Sequence, residues 1–259
     1  MAPLLLLVLL LAPPDAVRHK LEYRFAKGSS YVDEQQREWW LETVGGGKVF
    51  RWRYSFPTKL RRTVVDVDKT AHPSIERVEV LRFARTVVES ARAEEKEGET
   101  KAASSEGQTF VWRRLADRWG LFSDKGDVTE VHKQLVGHLQ NWRDGLLPKE
   151  AVAAGDTWEV SATTFLETAG QPVPKGVLGR AQFKLERVEQ GVATITFDFA
   201  CTYEDLGHAH SGRYTGTWRF DVAKGRDVDF EAKGQIEMDG GKSGGGGVTI
   251  KRTFTWGEA

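Results

Sequence analysis

His208 and His210 flank Ala209, and Glu204 and Asp205 lie just before them. Residues two apart on a strand project to the same side, so both imidazoles can reach one transition-metal ion. A protein metal site needs three or four ligands, and this pair is incomplete without a carboxylate or a further histidine. The alternative is a solvated turn between strands. His132 and His138 are six apart on a predicted helix, lie on different faces, and do not share an ion.

Gly241, Lys242, Ser243, Gly244 and Gly245 match the G-x-S-x-G pattern of a nucleophile elbow. That device needs a strand before the serine, a helix after it and a histidine later in the chain. Here a strand follows, and no histidine lies beyond His210. Gly241, Lys242 and Ser243 also match the end of a phosphate-binding loop, but Ile236 stands where its first glycine belongs. Gly240 to Gly247 is therefore expected to be a flexible hairpin tip.

The paired carboxylates are Glu38 with Glu42, Asp66 with Asp68, and Asp227 with Asp229 and Glu231. General acid or base work requires a pKa shifted by burial or by a close charge. Alternation places Asp227, Asp229 and Glu231 on the wet side of one strand, so no such role is expected of them. The single cysteine, Cys201, falls on an apolar face and reads as a small buried hydrophobe. No catalytic residue and no cofactor is assigned.

Strands must position whatever site exists. Ile195, Phe197, Phe199, Cys201 and Tyr203 alternate with polar residues, as do Tyr214, Trp218, Phe220 and Val222. Val228, Phe230, Ala232, Ile236 and Met238 follow, and then Val248, Ile250, Phe254 and Trp256. Four successive period-two segments predict an antiparallel sheet with one apolar face. Earlier, Phe50, Trp52, Tyr54 and Phe56 share a face, with Pro57 expected to end that strand and Leu60 to Val67 to form another. Ile75 to Ser90 fits helix or strand, and its β-branched content favours strand. Ala91 to Gly107, rich in Glu, Lys, Ala, Ser and Gly, reads as a solvated loop or long hairpin tip.

One helix is expected, from Asp127 to Trp142. Asp127 and Glu130 suit a reciprocal N-terminal cap; Val128, Val131, Leu135, Leu139 and Trp142 form one stripe, and Gly145 and Pro148 stop it. The stripe and the apolar sheet face each need a cover, so the two are expected to pack together. The fold class is therefore mainly β: a curved antiparallel sheet or half-barrel of about nine or ten strands wrapped on one central helix.

After that helix come Leu147, Pro148, Val152, Gly155, Asp156, Thr157 and Trp158. This string resembles the "LP…V..GDTW" segment of uncharacterised exported bacterial proteins, including families of unknown function. In those proteins a helix is followed by such a turn and a β-meander. The resemblance implies a structural turn and carries over no catalytic residue. The order of elements is also similar to that of bacterial lipoprotein-carrier half-barrels.

Lys plus Arg and Asp plus Glu both number 37, so overall charge offers nothing to nucleic acid or an anionic surface. The apolar run Leu4 to Leu11 is shorter than the ~20 residues of a membrane span and suits the core of a signal peptide. Residues 1–16 are thus expected to be a signal peptide, 17–259 a single domain, and the protein exported to a periplasm or medium, with no stable membrane span. Few Asn and Ile beside much Ala, Arg, Gly and Val suit a GC-rich bacterial genome.

The nine Trp, 13 Phe and five Tyr are concentrated on predicted inward positions. They leave two alternatives: a core closed completely by the helix, or a partly covered concavity that takes an apolar ligand. The expected function is non-enzymatic binding of an apolar or amphipathic, lipid-like molecule, with Phe50, Trp52, Tyr54, Trp218 and Phe230 as candidate contacts. The alternatives are an envelope adaptor with a fully packed core and, requiring a buried polar cluster, a hydrolase. Convergence of His208, His210 and a carboxylate in one cleft would support the last.

Overall fold

A computed structural model describes residues 17–45, 48–91, 100–102, 105–115, 119–123, 128, 145–168, 173–205 and 207–257. The strands are β1 (Ser30–Gly45), β2 (Lys48–Val67), β3 (Pro73–Ala91), β4 (Thr100–Ala102), β5 (Thr109–Arg114) and β6 (Trp119–Phe122). They continue with β7 (Thr157–Ser161), β8 (Leu178–Glu189), β9 (Val192–Asp205), β10 (His208–Asp221), β11 (Arg226–Met238) and β12 (Gly244–Trp256). A short helix, α1 (Ala162–Thr168), follows β7, and its first turn is capped by Ser161 Oγ, which accepts from the Thr164 N–H at 3.2 Å.

All twelve strands belong to one open antiparallel sheet in the order β6-β5-β3-β2-β1-β12-β11-β10-β9-β8-β7, with β4 pairing β3 off this path. The first and last long strands, β1 and β12, pair from Tyr31 with Trp256 to Thr43 with Gly244 and join the two meanders. Along β9, Ala193, Ile195, Phe197, Phe199 and Cys201 are buried while Thr194, Thr196, Asp198 and Ala200 lie between them toward the other face. Each large apolar side chain removed from water there stabilises the sheet by about 1.5–3 kcal/mol.

That inner face carries two apolar clusters. The larger packs Leu21, Tyr23 and Phe25 of the N-terminal segment and Phe165 of α1 against β8–β12; the smaller gathers Leu60, Val80, Phe83, Phe110, Trp112 and Leu121. Between them runs a buried polar belt of Asp33, Gln35, Thr58, Arg62, Glu76 and Arg252. Arg62 pairs with Glu76 and reaches Asp33 at 3.5 Å; Tyr31 donates its hydroxyl to Glu76 at 2.9 Å.

The structure corrects several expectations. The sheet has more strands than the nine or ten foreseen; β4 falls inside the stretch read as a solvated loop or long hairpin tip and pairs antiparallel with β3. β2 runs straight through Pro57, which pairs Gln36 of β1; the ladder to β3 skips Phe56 and Pro57, so no strand hydrogen bond is needed from the missing N–H. The one α-helix among the described residues is the seven-residue α1. The helix expected at 127–142 lies outside the described residues, except Val128, which packs on the smaller cluster. The expected signal peptide at 1–16 also lies outside them.

Asp227 is a further correction. It is buried, not wet, because a register shift between Arg219 and Phe220 places Asp227 opposite Phe220 while Asp229 stays opposite Arg219. Its Oδ1 accepts from Tyr23 at 2.8 Å and from Trp218 Nε1 at 2.9 Å.

Candidate ligand cavity

One half of the inner face is filled and the other is not. At the filled end, Tyr23 meets Phe220 edge-on at 5.2 Å and Phe25 lies 5.7 Å from Trp256. At the other end a cavity of about 470 Å³ remains, bordered by β1, β2, α1 and β9–β12. Its walls are mainly hydrocarbon and aromatic, with Trp39, Leu41, Phe56, Phe165, Phe230 and Ile236 prominent. Such a volume and lining fit a site for one small ligand, typically about 300–1,000 Å³.

The cavity also shows that the sheet bends. Phe56 on β2 and Tyr203 on β9 sit five strands apart, about 24 Å on a flat sheet at ~4.8 Å per strand, yet both border the same space. Close packing of rings against glycine shapes one wall. Tyr214 lies across Gly234, its register partner, at a distance that leaves no room for a Cβ.

Four polar side chains enter this apolar surround: Arg37, Tyr203, His210 and Tyr214. Arg37 is half-buried on β1, between Phe56 of β2 and Ile250 of β12 in the register. Burial works against its charge. Burial in turn pushes the Tyr214 phenol well above its ordinary range, with Arg37 opposing, so its hydroxyl keeps its proton. Tyr203 is raised as well, first by burial, and stacks on His210 at 4.7 Å between ring centroids.

Of the five residues singled out in the sequence, Phe230 borders the cavity. Trp218 is core, donating to Asp227. Phe50, Trp52 and Tyr54 share the inner face of β2 beyond Phe56; Phe50 stacks on Trp52, and Tyr54 stacks on Trp39 at 3.9 Å. Arg37, Trp39, Leu41, Tyr203 and Tyr214 were not singled out. For Arg37, Trp39 and Leu41 the signal is β1 itself, where Tyr31, Trp39 and Leu41 share a parity with Asp33, Gln35 and Arg37; for Tyr203 and Tyr214 it is the alternation of β9 and β10.

The two histidines part company. His210 borders the cavity, whereas His208 Nδ1 lies 2.7 Å from Asp239 Oδ2 outside its lining, and no group of three or more metal-binding side chains occurs among the described residues. Ser243 donates to the same Asp239 oxygen at 2.5 Å. The carboxylate thus stands between serine and histidine, and the serine proton is directed at the acid instead of at a base. This is the reverse of what nucleophile activation requires. Cys201 is buried and its thiol is raised by that burial, as an inert core thiol.

No helix among the described residues is long and apolar enough to cross a membrane. No protein-family model matches the chain, and no curated protein is similar to it. Among solved structures it is similar to one described as "Lipid-protein interactions in lipovitellin", with a TM-score of 0.53 at 8% identity, covering 91% of this chain and 26% of that one. The chain therefore spans about a quarter of the length of that protein, and the likeness at this identity is one of fold: the large antiparallel sheet.

Proposed function

We propose that the protein is a non-enzymatic binder of an apolar or amphipathic, lipid-like ligand, held in the cavity between α1 and strands β1, β2 and β9–β12. The observation that carries this reading is the cavity itself, about 470 Å³ of apolar-walled space beside the packed half of the inner face. A packed-core adaptor would have no use for such a space, since an unfilled apolar cavity costs stability. The fold likeness to a structure described as one of lipid–protein interactions supports the same reading. So does the Ser243–Asp239–His208 order, which offers no activated nucleophile. The Leu4 to Leu11 run supports placing this activity outside the cytoplasm.

Native mass spectrometry of the purified protein, before and after organic extraction and re-addition of lipids, tests the reading. A bound mass that extraction removes and lipid restores is expected. Protein that neither carries nor takes up any apolar molecule overturns it.

A further inference from the structure

We propose that the ligand is a single-chain amphiphile with an anionic head group, and that Arg37 receives that head while the chain lies along the apolar wall. The inference rests on the cavity being a ligand site and adds the chemical class. Its basis is a charge left over inside the fold.

Four arginines stand on this stretch of the inner face: exposed Arg85 lies over the rings of Tyr54 and Phe56, and Arg37, Arg62 and Arg252 are more deeply placed. Arg252 grips Asp33 through Nε and Nη2 at 2.7 and 2.5 Å, and Arg62 is held by Glu76 and Asp33. Arg37 makes no hydrogen bond or ion pair among the described residues, and its Nε is shielded from solvent without a partner. Guanidinium does not shed its proton at ordinary pH, and a half-buried cation without a counter-charge is costly. The two flanking register positions, Phe56 and Ile250, are apolar and cannot compensate. No carboxylate borders the cavity among the described residues. Among the described residues no group supplies that anion, and a ligand entering the cavity can.

The remaining polar groups suit the same guest. The hydroxyls of Tyr203 and Tyr214 and the ring nitrogens of His210 border the cavity with no hydrogen-bond partner among the described residues. Tyr214 stays protonated and can donate to a head-group oxygen beside Arg37. A planar guanidinium with a neighbouring hydroxyl matches the two oxygens of a carboxylate. The other walls, including Trp39, Leu41, Met238 and Val248, offer only van der Waals contact to a hydrocarbon tail.

The test compares dodecanoate with dodecanol, each titrated below its aggregation concentration into delipidated wild-type protein, Arg37→Met and Arg37→Lys. Wild type is expected to bind the carboxylate about tenfold to a hundredfold more tightly than the alcohol, the range of a charged hydrogen bond. Arg37→Met should erase that preference, with Arg37→Lys keeping part of it. Thermal unfolding of ligand-free Arg37→Met gives a second readout: the midpoint should hold or rise, whereas losing an arginine with a structural role would lower it. Equal wild-type affinity for both ligands, or undiminished dodecanoate binding by Arg37→Met, overturns the anionic head while the lipid-binding reading stands. Binding of neither ligand overturns both.

Discussion

Arg252 and Asp33 form a buried two-pronged ion pair, Nε to Oδ1 at 2.7 Å and Nη2 to Oδ2 at 2.5 Å, joining the last strand of the sheet to its first. The partners are 219 residues apart in sequence and both almost wholly shielded from solvent. In water such a pair would contribute little; inside the fold each charge depends on the other.

Asp33→Ala should therefore destabilise the protein by roughly 3–5 kcal/mol, because it leaves Arg252 buried and uncompensated. The double change Asp33→Leu with Arg252→Met should recover part of that loss. It will not recover all, since Arg62 also reaches Asp33 at 3.5 Å. Urea unfolding of Asp33→Leu, Arg252→Met and the double variant measures the coupling. Additive effects would show that the two residues do not depend on each other.

The walls of the cavity make a second expectation. Ala232 borders it and is buried beside Phe230 on β11. Ala232→Phe should occupy part of the space and weaken uptake of an alkyl ligand by about an order of magnitude, while the thermal midpoint changes little or rises through filled volume. Retained affinity would place the ligand elsewhere.

Much of this architecture is legible in the alternation of β9 to β12, because one apolar and one polar face impose period two on any strand between core and water. The part that was not legible has specific causes. Strict alternation puts Asp227 on the wet side, and the register shift at Arg219 and Phe220 that buries it is invisible to that pattern. The run Asp33, Glu34, Gln35, Gln36, Arg37 and Glu38 is polar at both parities, so nothing local marks which side is buried. Its inward side is stabilised by Arg62, Glu76 and Arg252, which folding brings from other strands. Arg37 carries no local mark for the same reason: that it lacks a partner among the described residues shows only once the pairs around it are known.

Gly234 is a third point of test. A Cβ there would lie 2.0 Å from a ring carbon of Tyr214, far inside contact distance, and the whole ring would have to move. Gly234→Ala should cost about 1–3 kcal/mol, as overpacking commonly does, and displace the Tyr214 hydroxyl from the cavity. Chemical denaturation gives the first quantity. A dodecanoate titration gives the second, with weaker binding expected. A variant as stable as wild type would mean that the wall is softer than its geometry implies.

Asp239, in the turn between β11 and β12, supplies a prediction about pH. Hydrogen bonds from Ser243, then His208, then the Ala209 N–H pull its carboxyl down to about 2. Its unfolded value is near 4. A depressed folded pKa means that the turn's stabilisation is present above the unfolded value and is lost as pH falls from about 4 through about 2. Ser243→Ala removes the largest contributor, so the Asp239 carboxyl should titrate at higher pH, closer to the ordinary value, in a carbon-detected NMR titration. The turn should then loosen earlier on acidification. His208→Ala should shift the carboxyl in the same direction by a smaller amount. If neither change moves it, the serine and histidine contacts are not what hold this acid ionised.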